Sequence, residues 1–327
     1  MIILRWWKEM FRYSLIVFLL FHFSFANADD WPTKPITLLI PLPAGGGTDA
    51  VYRILGKEMS GILGQPIVVD NRPGAAGRIG LLALSKSQSD GYTIGAVTSG
   101  PLIAVPASSK VVPYDPVKDF TSLALLYEVY TTFLVAGNLP VDSVKSLVSY
   151  AKANPKILNY GSIGNGSVAH FITEHWKRSI GIEIEHIPYK GEPQAIQDLL
   201  AGRLQIYISP SPYLDFVANG KLKALATTGP KRTQIQPGIP TMDELGFPTA
   251  SMSVLFGLFA PANLPPEIAK RLSNAALEAL RMSSVQKQIN DFGYITRGEG
   301  PERMKEIVQE DFMKFKAIAK EANILTD

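Results

Sequence analysis

PLPAGGGTDA, residues 41–50, directly follows the apolar run at residues 36–40. This order is typical of a short strand that turns through glycines into a helix beginning at Thr48 or Asp49. Such a turn points backbone N–H groups and the positive end of a helix dipole at one place, which is a common way of holding an anion. The stretch therefore predicts an anion site at the end of the first strand.

Short apolar strands and amphipathic helices alternate after residue 31. The pattern predicts, in order, a strand at residues 36–40, a helix at 49–63, a strand at 67–69, a helix at 77–87 and a strand at 92–97. Because consecutive strands separated by helices require right-handed crossovers, these elements predict a parallel sheet. A second doubly wound unit of the same kind is predicted between residues 144 and 227, with strands at residues 158–160, 182–187, 204–208 and 222–227.

The C-terminal tail has a different pattern. Residues 254–260 form a strand-like apolar run, and two amphipathic helices follow. We expect this tail to return to the first unit, so that the chain crosses between units near residues 121–135 and 251–260. The predicted fold class is α/β with two lobes, each a doubly wound sheet flanked by helices, and a ligand cleft between them. Residues 29–130 plus 254–327 are assigned to lobe 1, and residues 131–253 to lobe 2.

The first 28 residues have the features of a secretory signal peptide. Arg5, Lys8 and Arg12 give a basic start, residues 13–25 are mainly apolar, and the small-x-small site ends at Ala28. An uncleaved membrane anchor is the alternative, but the apolar core is shorter than the roughly 20 residues that span a bilayer. We therefore predict export and cleavage after Ala28.

The composition of the remaining 299 residues excludes several classes of protein. Removing the three basic residues and one acidic residue of the first segment leaves 29 Lys and Arg against 28 Asp and Glu, so the mature chain is nearly neutral. A nucleic-acid partner or a polybasic membrane contact is not expected. The chain contains no cysteine, which excludes disulfides and thiolate chemistry.

Four loops should lie at the carboxyl ends of strands, where open α/β sheets bind ligands. They span residues 41–49, 71–78, 98–101 and 161–167, and the first and last lead into helices. The candidate ligand-binding residues on and beside these loops are Pro43, Ala44, Gly45, Gly46, Gly47, Thr48, Asp49, Arg72, Thr98, Ser99, Tyr160, Gly161, Ser162, Gly164, Asn165, Gly166, Ser167 and His170.

Several of these candidates have a structural alternative. Asp49 in a first helical turn stabilises the helix dipole, and a direct contact would suit a ligand amine or hydroxyl. Arg72, like Arg78, lies near the predicted cleft but could be a solvated surface charge. Tyr160 could line the pocket or pack in the core, and His170 is interpreted as a helix residue near the cleft rather than a general base.

The glycine-rich turn also fits a dinucleotide fingerprint, with G-x-G-x-x-A at residues 45–50 and an acidic residue, Asp70, at the end of the next strand. Pro41 and Pro43 lengthen the turn, and export removes the protein from cytosolic nicotinamide pools, so this interpretation is disfavoured. There is no P-loop, nucleophile elbow or H-E-x-x-H pattern. We predict no catalytic residue, metal or cofactor, although a serine with a histidine base can assemble in space.

A set of motifs in a specific order covers nearly all of the mature chain, from residue 31 to about residue 322. It comprises WPTKPITLLIPLPAGGGTDAVYRIL (31–55), LGQPIVVDNRPGAAGRIG (63–80), DGYTIG (90–95), YGSIGNGSVAHF (160–171), HIPYKG (186–191), DLLAGRLQIYISP (198–210), IPTMDELG (239–246) and FGLFAPANLP (256–265). Together these motifs resemble the substrate-binding receptors of tripartite tricarboxylate transporters, the Bug-type receptors.

The resemblance implies a two-lobed periplasmic receptor of the type-II binding-protein kind, monomeric and non-enzymatic. Such receptors hold di- and tricarboxylates, aromatic acids or acidic amino acids and present them to integral membrane permease subunits. One ligand carboxylate would be met by backbone N–H groups and ordered waters at residues 43–49 and 161–167. A receptor that presents its ligand to a periplasmic sensor is the alternative function. An exported enzyme or a dinucleotide-binding protein is less favoured.

This chain departs from the family's usual pattern in two places. Leu42 and Ala44 stand where the family often has an aromatic residue and a second proline or glycine. Residues 205–213 read QIYISPSPY, where many members have an acidic or amide residue. The identity of the ligand is therefore not carried over from the resemblance.

Overall fold

The computed structural model describes residues 31–111 and 114–324. The predicted signal peptide and its cleavage site after Ala28 lie outside the described residues. The first part of the chain forms β1 (Ile36–Ile40), α1 (Gly47–Leu63), β2 (Ile67–Asn71), α2 (Arg78–Ser85), β3 (Thr93–Thr98), α3 (Val105–Ser108) and β4 (Phe120–Tyr130). These bounds confirm the predicted β-α-β-α-β order, and α1 begins one residue before the predicted start at Thr48.

The middle of the chain forms a second series of alternating elements. They are β5 (Thr132–Ala136), α4 (Val144–Ala153), β6 (Asn159–Ser162), α5 (Val168–Ile180), β7 (Glu185–Pro188), α6 (Glu192–Leu200), β8 (Ile206–Ser209), α7 (Leu214–Ala218) and β9 (Leu222–Thr227). The strand predicted at residues 182–187 is shorter than expected and begins only at Glu185. The segment before it closes helix α5 through Gly181, which has a left-handed backbone.

The tail contains more elements than the sequence pattern predicts. It forms β10 (Ser253–Pro261), α8 (Pro266–Leu280), α9 (Ser283–Asp291), β11 (Ile295–Glu299) and α10 (Pro301–Glu321). The prediction of only two helices after the apolar strand is therefore wrong, because α9 and β11 lie between them. Both missed elements are short and polar at most positions, so they contain few apolar residues that could identify them.

Two mixed sheets organise these elements. The first has the order β11-β4-β10-β3-β1-β2 and the second the order β7-β6-β8-β5-β9. In the first sheet β1 runs parallel to β2 and β3, as predicted, but β10 is antiparallel to β3 and β4. In the second, β6 is parallel to β7 and β8, while β5 is antiparallel to β8 and β9. The predicted parallel pairing of β1, β2 and β3 is therefore confirmed, and the antiparallel pairs in both sheets were not predicted.

The chain passes from the first sheet to the second at Thr131, inside the segment where a crossing was predicted. It leaves the second sheet after Thr227 and rejoins the first at Ser253. Two hydrogen bonds join the two passages. The Thr131 N–H donates to the Thr228 Oγ1 at 3.0 Å, and the Thr228 N–H donates to the Thr131 backbone carbonyl oxygen at 2.9 Å. The residue limits of the two lobes stay a prediction, which this division of strands supports.

The tail covers the first sheet, as the sequence predicts. Leu272 and Ala276 of α8 are fully buried in the core that also holds β1 and the inner face of α1. Helix α10 packs on β4 and also reaches the second half of the molecule, where the rings of Phe315 and Phe171 lie 4.9 Å apart. Within the described residues, no helix combines the length and the apolar character needed to cross a bilayer.

Candidate functional site

The first loop of the site joins β1 to α1 and leaves backbone donors free. Gly46 caps the helix in an extended conformation (φ −83°, ψ 169°) and supplies no side-chain cap. The N–H groups of Gly47, Thr48 and Asp49 therefore have no acceptor within the helix. Because residues 43–46 are exposed, these donors and the positive end of the helix dipole are open to an anion.

The Asp49 side chain is buried against this loop and does not extend into solvent. Its side chain is 5% exposed and its Oδ2 accepts hydrogen bonds from the Gly45 N–H at 3.0 Å and from Arg53 Nε at 2.8 Å. Its Oδ1 accepts from Asn71 Nδ2 at 2.9 Å. Burial alone would raise the pKa of this carboxyl, but the hydrogen bonds from Arg53, Gly45 and Asn71 together lower it. Asp49 thus fixes the shape of the turn.

Aromatic rings from β4 and from the tail pack next to the turn. A Cβ atom added to Gly47 would collide with the Tyr294 hydroxyl, so only glycine fits at this position. Tyr294 stacks on Tyr127 with ring centroids 5.5 Å apart, and Tyr127 in turn stacks on Phe256 at 4.5 Å. Sequence reasoning missed Tyr294, which follows the unpredicted helix α9 and is contributed by residues far from the loop in sequence.

The second loop of the site joins β6 to α5. Gly164 and Gly166 adopt left-handed backbone conformations (φ 119° and 77°), which reverse the chain within a few residues. Ser167 caps α5 by accepting from the His170 N–H at 3.4 Å, so the N–H groups of Val168 and Ala169 have no acceptor within the helix. This loop therefore offers a second set of donors.

Two observations place the two loops near one another. A Cβ atom added to Gly100, in the loop after β3, would lie 3.8 Å from Val168 Cγ2 at the start of α5. Burial, followed by the negative charge of Glu192 at the start of α6, raises the pKa of Tyr294, which lies against Gly47 of the first loop. The carboxyl ends of β1 and β3 in the first sheet thus lie next to the carboxyl ends of the second sheet's parallel strands.

A model of the tripartite tricarboxylate transporter family receptor matches residues 51–324, which is most of the chain. The chain belongs to this receptor family. It is 34% identical over 293 residues to a UPF0065 protein of Cupriavidus necator, covering 90% of this chain and 89% of that protein.

Solved structures of similar proteins agree with this assignment. The receptor superposes on R. palustris Rpa4515 with adipate (TM-score 0.82, 33% identity, covering 90% of this chain and 99% of that one). It also superposes on MatC of Rhodopseudomonas palustris with bound malate (TM-score 0.80, 28% identity, 88% and 99% covered). The chain is therefore a solute-binding receptor of the periplasmic binding-protein fold, and not an enzyme.

Behind the second loop of the receptor, polar side chains form a buried chain. The Gly166 N–H donates to His170 Nδ1 at 3.1 Å, and the rings of His170 and His186 stack 4.1 Å apart. His186 Nε2 lies 2.7 Å from Ser162 Oγ, and the Tyr160 hydroxyl donates to Glu174 Oε1 at 2.7 Å. These contacts hold the second loop against the sheet, and they place His170 beside the site as a structural residue.

Both histidines of this buried cluster, His170 and His186, are neutral in the folded receptor. Burial, followed by the positive charge of Lys177, lowers the pKa of His170 to about 4. Burial and then His170 and Lys177 lower the pKa of His186 to about 3, while the charge of Glu174 opposes the shift. Because Nδ1 of His170 accepts a hydrogen bond, its single proton is assigned to Nε2.

These depressed pKa values predict an acid-sensitive receptor. Between about pH 6.5 and pH 4 the unfolded chain binds more protons than the folded chain, so the free energy of unfolding should fall as the pH is lowered through this window. Urea unfolding at pH 7.5, 6 and 5 measures the slope. His186→Asn should flatten it, whereas His175→Gln, which changes a less deeply buried histidine of helix α5, should flatten it less. Equal slopes in all three proteins would contradict the prediction.

The remaining candidates divide into buried, paired and exposed residues. Thr98 and Ser99 are buried at the end of β3, and the Ser99 Oγ accepts from the Leu255 N–H at 3.2 Å. Arg72 is half exposed and pairs with Asp70 at 2.8 Å, which favours the surface-charge alternative. Tyr160 is fully buried and packs in the core, whereas Asn165 is exposed at the tip of its loop.

In the receptor, Ser162 and His186 lie within hydrogen-bond distance of each other. This is the pairing of a serine with a histidine base that the catalytic alternative requires. Ser162 is nevertheless 0% exposed and also exchanges hydrogen bonds with Gly164, at 3.0 and 3.2 Å. A hydroxyl enclosed in this way cannot reach a substrate, so the pair is structural. Within residues 31–111 and 114–324 no group of three or more His, Asp or Glu side chains is arranged to hold a metal ion.

Proposed function

We propose that this chain captures a small organic carboxylate between its two sheets and delivers it to the permease subunits of a tripartite tricarboxylate-type transporter. The observation that carries the proposal is the pair of free helix N-termini at Gly47–Asp49 and Val168–Ala169, at neighbouring edges of the two sheets. Each can direct N–H donors to one carboxylate oxygen, directly or through water. Closure of the lobes would complete the anion site, because the closed form gains donors from both sides.

The likeness to receptors with malate and with adipate supports this ligand class. Those two acids differ in length but share carboxylate groups, which is the group that the two loops are built to hold. Arg72 is already paired with Asp70, so the proposal assigns this arginine no contact with the ligand carboxylate. Recognition would therefore rest on backbone donors and on the hydroxyls of Thr48 and Ser167 rather than on an arginine clamp.

The cellular setting forms part of the same proposal. A receptor of this kind works in the periplasm as a monomer, after the leader has been removed behind Ala28. The near neutrality of the mature chain suits a freely diffusing carrier. N-terminal sequencing of protein recovered from a periplasmic extract would test the cleavage site, and an Asp29 start is the expected result.

A thermal-shift screen of the mature protein against small organic acids tests the ligand class. At a ligand concentration 100 times Kd, binding stabilises the folded state by about 2.7 kcal/mol, which raises Tm by several degrees in a protein of this size. The methyl esters of the same acids, which lack the carboxylate charge, should have no effect. A rise in Tm with nucleotides and with none of the acids would overturn the proposal.

A further inference from the structure

Glu192 is an acidic side chain at the same edge of the second sheet as the anion-binding loop. It is the first residue of α6, directly after β7, and its carboxylate accepts a hydrogen bond from the Ser209 hydroxyl at the end of β8. Strands β6, β7 and β8 end together at Ser162, Pro188 and Ser209. Glu192 therefore lies on the ligand side of the second sheet.

The first sheet also approaches Glu192. Burial and then the negative charge of Glu192 raise the pKa of Tyr294 to about 12. Tyr294 lies directly beneath Gly47 of the glycine-rich turn. Glu192 and the second loop thus share one edge of the second sheet, and Val168 at this edge approaches Gly100 in the loop after β3 of the first sheet.

The surroundings of Glu192 provide hydrogen-bond donors but no cation. Burial raises the pKa of Glu192, while the hydrogen bonds from Ser209 and Tyr213 oppose this shift. The start of α6 also favours a negative charge. Among the described residues, no Lys or Arg side chain forms an ion pair with it. Buried carboxylates are usually paired, because an isolated charge in a low-dielectric site is costly.

We propose that Glu192 receives a positively charged amine of the ligand, so that the receptor selects carboxylates that carry an amino group over those that carry a second carboxylate. This inference rests on the proposed function, because it requires one ligand carboxylate in the cradle of the two loops. An ammonium group supplies the cation that Glu192 lacks and can donate up to three hydrogen bonds. A second ligand carboxylate at the same place would be repelled by Glu192.

Matched acids of equal chain length test the proposal. Calorimetry at pH 7.5 would compare, for chains of four to six carbons, the monocarboxylate, the dicarboxylate, the 2-amino acid and the ω-amino acid. At least one amino acid should bind at least tenfold more tightly than both the monocarboxylate and the dicarboxylate of its length. Tighter binding of a dicarboxylate, or of a matched hydroxy acid, than of every amino acid would overturn the role of Glu192.

Variants separate the charge of Glu192 from the rest of the site. Glu192→Gln should weaken the preferred amino acid at least tenfold while leaving the dicarboxylate equal or tighter. Glu185→Gln is the matched control, because Glu185 is exposed at the opposite end of the adjacent strand, and it should change neither affinity. An equal affinity of Glu192→Gln and the unmodified receptor for the amino acid would overturn the proposal.

Glu192→Asp provides a check that does not depend on the folding of the glutamine variant. It keeps the charge but withdraws it by one methylene, so the preference for an amine should persist and the best ligand should become longer by about one carbon. The outcomes also separate the two proposals. Preferred binding of dicarboxylates keeps the carboxylate receptor and removes the role of Glu192, whereas no binding by any acid removes the carboxylate receptor itself.

Discussion

Gly46→Leu is expected to abolish ligand binding while the receptor still folds. Gly46 has φ −83° and ψ 169°, a conformation that any residue adopts, and no atom lies within 4 Å of a Cβ placed there. The leucine side chain would extend into the open space above the N–H groups of Gly47 and Thr48, where the ligand carboxylate should lie. We expect the affinity to fall at least 100-fold.

The stability of this variant should change little. Leucine is a poorer helix cap than glycine, so a loss of about 1 kcal/mol in the free energy of unfolding is expected. Gly238→Leu is the matched control, since Gly238 is also exposed and has no atom within 4 Å of an added Cβ. Calorimetry and urea unfolding of both variants separate the effects. Unchanged affinity of Gly46→Leu would remove the glycine-rich turn from the site.

Asp49→Ala is expected to destabilise the receptor and to weaken binding together. The substitution removes the acceptor of the Gly45 N–H and one acceptor of the Asn71 amide, and each hydrogen bond of this partly exposed kind contributes about 0.5–1.5 kcal/mol. It also removes a negative charge from the first turn of α1, which contributes about 0.3–1 kcal/mol. Because the turn then loses its fixed shape, the affinity should fall about tenfold or more.

Asp70→Ala is the control for the loss of an Asp–Arg pair. The Asp70–Arg72 pair is exposed on both sides, so its removal should change the free energy of unfolding by at most about 0.5 kcal/mol and leave the affinity unchanged. Urea unfolding and calorimetry of the two variants give the comparison. If Asp49→Ala were as stable as Asp70→Ala, Asp49 would have no role in shaping the turn.

The sequence predicted those parts of the fold that carry strong local signals. Strands β1 and β9 have the predicted bounds, because apolar runs with clear turn residues on both sides define them. Strand β4 was expected only as a crossing segment, since a nearly continuous apolar run has no alternation that distinguishes a central strand. Helix α9 and strand β11 were missed because neither has a wide apolar face.

The candidate site was predictable in its backbone and not in its supporting side chains. Glycines at the turns identified both loops, because positive φ angles and free helix N-termini are local properties. The three partners of Asp49 and the position of Tyr294 under Gly47 depend on the register of β1 against β2 and on the return of the tail. The sequence did not indicate Glu192 as a candidate site residue, since its proposed role depends on Ser209, Tyr213 and Tyr294, which come near it only in the folded chain.

Strand β10 has a consequence for the order in which the protein can fold. It lies between β3 and β4 in the first sheet, although more than 150 residues separate it from β3 along the chain. A chain that emerges from a translocation channel with its N-terminus first exposes β3 and β4 before their common neighbour exists. The middle segment, from β5 to β9, is continuous and can complete its sheet earlier. The cradle at Gly46 and Gly47 should therefore be among the last parts of the molecule to form, so the newly exported chain cannot bind its solute until its final 75 residues have arrived.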